Sequence, residues 1–407
     1  MTSLIYLTFI TFANLCLISA ETPETLSSKF NQLTPKNSTG LPLVPVNPID
    51  ALLDQKAAIT DVEQQEKELD ELVAESQLDS PIPIPVVNYL EPYTIHSFTI
   101  PQNGHPPLTK SRLSFIQSQL REIIFEDRIA HVVRIIFHDC VGGCDGCLNR
   151  DLPPNMTPML NTATLLDNLY DSQGFSDWLS RADFYALAGI TAIEIGVENA
   201  NVGCFFFNCI RMPRFHFRYG RKDCATSPLS SGVQSFPEGK DDYDAVMEFF
   251  ANEFGLRPRY ATALLGAHTL GGAAGAAGSG FVGFWKENAI EAAKFDQRYF
   301  SLLSDRRLYW NHLDVSAQTG ANSPRFQWEG FVNNQQVSFM LNSDVSLLLD
   351  IQTNNVGQSS CNFNTCPYSP TALLVHIYAR FPNFWIRDFE RAFARMIENG
   401  STWLLAV

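Results

Sequence analysis

Arg134 and His138 lie four positions apart in "RIIFHDC", so on a helix both side chains leave from the same face. A fixed cation beside an imidazole suits chemistry that moves a proton while negative charge develops on a departing oxygen. A second histidine, His268 in "LLGAHTLGG", is flanked by small and apolar residues that would let a large flat cofactor approach closely. Taken singly, the first pattern also fits a surface or core pair, and the second a satisfied core histidine. The loop after the first pair, "CVGGCDGC", has cysteine spacings used by zinc sites and by disulfide knots alike.

Helices are the elements that must position these groups. "LTKSRLSFIQSQLREIIFEDRIAHVVRIIFHDC" repeats apolar residues at three- and four-residue spacing. "SDWLSRADFYALAGITAIEIG", "DDYDAVMEFFANEFG", "RPRYATALLGAHTLGG" and "NFWIRDFERAFARMIENG" do the same, and each ends at or near glycine, a common helix stop. β-alternation is scarce, with one hairpin expected in "FQWEGFVNNQQVSFML". The expected class is mainly α, as one domain over residues 96–407.

The chain has 407 residues, 45% of them hydrophobic, and a formal net charge of −14. Its pI near 5.0 and mean hydropathy of −0.06 describe an acidic chain able to bury a large core. That charge argues against nucleic acid or an anionic membrane as partner, since both require basic surface. Residues 1–20 are uncharged, apolar and end in small residues. They are expected to be a secretory signal, after which no membrane segment remains. A membrane anchor is the alternative for the same run.

Residues 21–95 are proline-rich around a charged helical stretch, "DVEQQEKELDELVAESQ", and are expected to be a spacer or pro-segment. Beyond Cys16, eight cysteines remain: Cys140, Cys144, Cys147, Cys204, Cys209, Cys224, Cys361 and Cys366. An even number in an exported chain favours disulfides over zinc, with Cys204/Cys209 and Cys361/Cys366 as local pairs. Asn37, Asn155 and Asn399 stand in glycosylation sequons.

"RIIFHDC" followed by "GAHTLGG" resembles the haem peroxidase superfamily of plants, fungi and bacteria. The resemblance continues, in the same order, through "RADFYALAG", "GRKD", "SGFVGFW", "FDQRYF", "LNSDVSLLLD" and "FERAFARMIENG". It covers roughly residues 108–400 and implies an all-helical fold with haem b between a distal and a proximal helix. His268 would be the iron ligand and Asp344 the acceptor of its second ring N–H. His138 would be the distal base, Arg134 the distal cation and Phe137 the aromatic packed over the haem. Asn155 would hold His138, with Asn161 the second choice; that role for Asn155 conflicts with its sequon.

The implied activity is reduction of hydrogen peroxide through a high-valent iron intermediate, with oxidation of small, phenolic or aromatic donors. The rival is a peroxidase-fold matrix or binding protein without turnover. Subfamily features are mixed. Phe137 matches secreted enzymes, while Trp285 matches the proximal tryptophan of the intracellular group, where it either shares the oxidising equivalent or simply packs. The arginine of ascorbate enzymes is replaced by Gly278. The manganese-binding carboxylate positions hold Asp127, His131 and Ala274. The resemblance also implies calcium beside the distal helix, through Asp139 and Asp145 with carbonyls of Val141 and Gly143; Cys147 replaces a hydroxyl ligand there. Thr269 and Asp296 match two members of a second cation site.

Overall fold

A computed structural model describes residues 48–76, 78, 104–148, 150, 159–205, 209–224, 236–274 and 280–407. The expected signal sequence, Asn37, Asn155 and Gly278 lie outside these residues. The chain divides into two units, 1–77 and 78–407. In the first, α1 (Pro48–Ala57) and α2 (Val62–Glu75) form a helical pair. Asp61 caps α2 by accepting from the Gln64 amide, and Lys56 pairs with Glu68 at 2.8 Å. The charged stretch expected to be helical is α2. The proline-rich stretch before it also contains a helix, and the expected boundary at 95 lies outside the described residues.

In the second unit, α3 (Lys110–Ile123) and α4 (Asp127–Cys140) are separated by a short break in which Glu126 takes φ 51°. Then come α5 (Met159–Ser172) and α6 (Arg181–Ala200). α6 is buried on nearly every side from Ala182 to Val197, as an all-round apolar helix at the centre of a core must be. Gly189 lets α4 come close: a Cβ there would lie 2.8 Å from Ile136. A short strand β1 (Arg218–Tyr219) leads to α7 (Tyr243–Phe254), which Asp242 caps and Gly255 ends in a left-handed conformation. Next is α8 (Pro258–Leu265), which runs into a 3₁₀ turn at Gly266–Thr269.

Strands β2 (Gly272–Ala274) and β3 (Val282–Phe284) pair antiparallel and are followed by α9 (Arg298–Ser304). A three-stranded antiparallel sheet has β4 (Tyr309–Asp314), β5 (Phe326–Val332) and β6 (Gln335–Met340) in that order, with α10 (Ser316–Thr319) between β4 and β5. The expected hairpin is β5–β6, turned by Asn333 and Asn334 at φ 50° and 63°, the two left-handed residues such a loop needs. β4 was not expected: "YWNHLD" does not alternate in burial, and it becomes a strand by pairing with β5. The chain closes with α11 (Asn342–Val345), α12 (Ala372–Arg380), α13 (Pro382–Ile397) and β7 (Leu405–Ala406), which pairs with β1. α4 packs against α5, α6 and α13, while α8 and α9 pack against α13 and α12 respectively. The fold is mainly α. No described helix is long and apolar enough to cross a membrane.

Candidate active site

On α4 the apolar face of Ile129, Val132, Val133, Ile135 and Ile136 is buried, which fixes the rotation of the helix and so the direction of Arg134 and His138. His138 is buried and Arg134 half-buried; burial pulls the guanidinium pKa down. Arg134 Nε lies 3.4 Å from His138 Nε2, a long contact in which the imidazole nitrogen accepts. The Phe236 ring stacks on His138 with centroids 4.3 Å apart. Phe137 closes the same region with Phe236, Phe249, Phe250 and Phe254, at centroid distances of 6.0–6.4 Å.

The loop leaving α4 is braced from two distant helices. Glu253 Oε1, on α7, accepts from the Gly142 amide at 2.6 Å. Asn399, after α13, donates its side-chain amide to the Cys140 carbonyl and to the same Glu253 oxygen, each at 2.9 Å. Its carbonyl accepts from the Cys144 amide. A glycan on that nitrogen would leave it one N–H, enough for only one of these two bonds. Disulfides join Cys140–Cys144, Cys147–Cys224, Cys204–Cys209 and Cys361–Cys366, so no thiolate among these eight is left for zinc.

The proximal turn holds His268 by its Nδ1, which donates to Asp344 Oδ1 at 2.7 Å. Tyr299 donates its hydroxyl to the same oxygen at 2.7 Å, and the Leu341 amide donates to Oδ2 at 2.7 Å. Burial, then the Asp344 charge, push the Tyr299 phenol well above its usual pKa and keep it a donor. Trp285 stacks on the His268 ring at 4.3 Å and 5°, and also on Phe339 at 4.3 Å. The distal and proximal segments meet where Gly271, at φ +73°, passes Ala130 of α4. A Cβ on Gly271 would lie 2.7 Å from that of Ala130.

The peroxidase family profile matches residues 115–361. The chain belongs to the peroxidase family. It is 26% identical over 266 residues to a protein of Cryptococcus neoformans var. neoformans named "Putative heme-binding peroxidase", covering 64% of this chain and 65% of that one. A "Lignin-forming anionic peroxidase" of Nicotiana sylvestris is 27% identical over 168 residues, 39% of this chain and 49% of the relative. Rice (Oryza sativa subsp. indica) "L-ascorbate peroxidase 1, cytosolic" is 31% identical over 125 residues, 31% of this chain and 42% of the relative. The chain thus spans between about two fifths and two thirds of the length of these relatives.

In this peroxidase-family chain the donor set around His268 fits a haem iron. A proton held on Nδ1 by a fully bonded carboxylate leaves the Nε2 lone pair as the ligand. The side chain is 33% accessible although Leu264, Leu265, Thr269 and Trp285 around it are buried. No described group bonds its Nε2. Asp139 fits a cation in another way. It is buried and has no partner on Oδ1, while the Cys147 amide beside it donates to Asp145 Oδ1 at 3.0 Å. Burial, then the neighbouring Asp145 charge, drive its pKa well up.

Asn155 lies outside the described residues, and Asn161 is exposed on α5. His131 bonds Thr162 across to α5 at 3.1 Å, and burial lowers its pKa, which places it in helix packing. Phe236, Glu253, Tyr299 and Asn399 were not foreseen. Tyr299 stood inside a quoted motif, "FDQRYF", but nothing in its spacing pointed to Asp344.

Proposed function

We propose that this chain is a secreted haem peroxidase that reduces hydrogen peroxide to water and oxidises small aromatic donors of the phenol type. Each turnover would consume one peroxide and two donor hydrogens, releasing two waters and two donor radicals. The observation that carries the reading is the convergence of Arg134 Nε on His138 Nε2 at 3.4 Å. A protein that had lost turnover would have no use for that pair.

His268 would hold haem b, which would supply the redox chemistry coupling two-electron reduction of peroxide to one-electron oxidation of donors. His138 accepts a proton from peroxide at Nε2 and delivers it to the oxygen that leaves as water. Arg134 offsets the negative charge that grows on that oxygen. Asp344 keeps the His268 proton on Nδ1, and Phe236, stacked on the His138 ring, shields the base from bulk water. An aromatic donor is in line with the name of the Nicotiana relative. Replacement of the ascorbate-enzyme arginine by Gly278 speaks against ascorbate. Export is supported by the four disulfides, and a calcium ion at Asp139 and Asp145 by the unpartnered carboxylate oxygen.

The purified protein should show a Soret band and oxidise guaiacol-type phenols with peroxide faster than ascorbate, Mn(II) or Fe(II). His138→Ala should keep the Soret band and lose about 10²- to 10⁴-fold in peroxide cleavage by stopped flow. Near-normal cleavage in that variant would remove His138 as the base.

A further inference from the structure

Lys286 follows Trp285 directly, and its side chain is wholly buried. Its Nζ donates to the Lys294 carbonyl at 2.6 Å and to Asp296 Oδ1 at 3.1 Å. The same Asp296 oxygen accepts from the Thr269 hydroxyl at 3.1 Å and from the Arg298 amide at 3.0 Å. Thr269 and Asp296 are the two residues for which the family resemblance implies a second cation.

These residues do not fit a metal ion. Calcium asks for six to eight oxygen ligands, and the Asp296 oxygen turned toward Thr269 is already shared among three donors. An ion placed against it would meet an ammonium at contact distance. We propose that Lys286 is a tethered cation standing in the place of a metal ion, so that the proximal side is held without one. The ammonium links three segments that matter to the site. Thr269 follows His268, Lys286 follows the indole stacked on that ring, and Asp296 opens the turn into α9, which carries Tyr299. Burial lowers the Lys286 pKa, opposed first by Asp296 and then by Glu291 and Glu287. Those two glutamates are themselves paired, with Lys294 and Arg298.

The proposal draws on the peroxidase reading only for the place of the site beside His268, and stability rather than turnover tests it, so the two can fail separately. All proteins carry Asp139→Asn, which silences the candidate calcium loop, and are loaded with haem in potassium-free buffer containing a chelator. Potassium or calcium added to the protein that keeps Lys286 should leave its thermal midpoint and Soret band unchanged. Lys286→Thr, which replaces the ammonium by an oxygen donor, should lower the midpoint by roughly 5 to 10 °C and recover most of it when either ion is added. Lys286→Met should fall as far and not recover. A midpoint that rises with added ion in the protein that keeps Lys286, and no longer does so after Asp296→Asn, would place a metal here and overturn the proposal. Absence of recovery in Lys286→Thr would also overturn it, leaving an ordinary buried ion pair. Should Lys286→Thr fail to fold, the ion titration of the protein that keeps Lys286 decides alone.

Discussion

Asp344 and Asp139 are both buried carboxylates, one bonded to His268 and the other next in the chain to His138, and they are satisfied in opposite ways. Asp344 receives His268 and Tyr299 on one oxygen and the Leu341 amide on the other. Asp139 keeps one oxygen without a partner, and its pKa is driven up by burial and by Asp145. A second carboxylate on that side, Asp296, has its own ammonium in Lys286. The proximal side therefore closes with groups the chain itself provides. The distal loop is held in shape by cystines, Glu253 and Asn399, but leaves one oxygen of Asp139 without a partner, where we propose a cation. A buried charge costs folding energy unless it is paired, so the two sides should respond differently to mutation and to chelation.

The largest effect is expected from Asp344→Asn. The amide cannot take the charge-assisted bonds from both His268 and Tyr299, so haem affinity should fall about 10- to 100-fold, measured by Soret titration of the apoprotein. Unchanged affinity would mean that Asp344 does not orient His268.

Chelation comes next and separates the sides most directly. Removing calcium from the native protein should lower stability by about 2.7 kcal/mol relative to a solution at a hundred times the dissociation constant. In Asp139→Asn the same treatment should change nothing, since the neutral amide no longer gains from an ion. A midpoint equally sensitive to chelator in both proteins would show that Asp139 is not the group involved.

The smallest effect is expected from Tyr299→Phe, which keeps the ring and removes one donor from Asp344. The carboxylate then draws more strongly on the His268 proton, and the ferric/ferrous potential should drop by some tens of millivolts, at about 59 mV per tenfold change. A potential that stays put or rises would show that the phenol does not moderate this contact.

Much of this was legible in advance, because helix periodicity and short motifs are local. Arg134 and His138 share a helix face by spacing alone, and α6, α7 and α13 follow from apolar repeats; Gly255 ends α7, whereas α6 runs through Gly196, where its stop was expected, to Ala200. The β5–β6 hairpin is written in its Asn333–Asn334 turn, whereas β4 depends on a partner strand already being there. Within the site, the missed groups are those whose role is a contact across the chain. Glu253 reaches Gly142 over 111 positions, and Asn399 reaches Cys140 over 259. Lys286, a charge directly after the apolar "GFVGFW", was a signal that could have been read as buried and therefore paired.

Residue order alone determined which side chains could carry the chemistry and on which helix faces they stand, because backbone geometry repeats over a few residues whatever surrounds it. Only the packed molecule decided which carboxylate each histidine or ammonium meets, and whether its lone pairs are filled. Those outcomes depend on burial and distance, quantities that exist only once segments a hundred or more residues apart have been brought together.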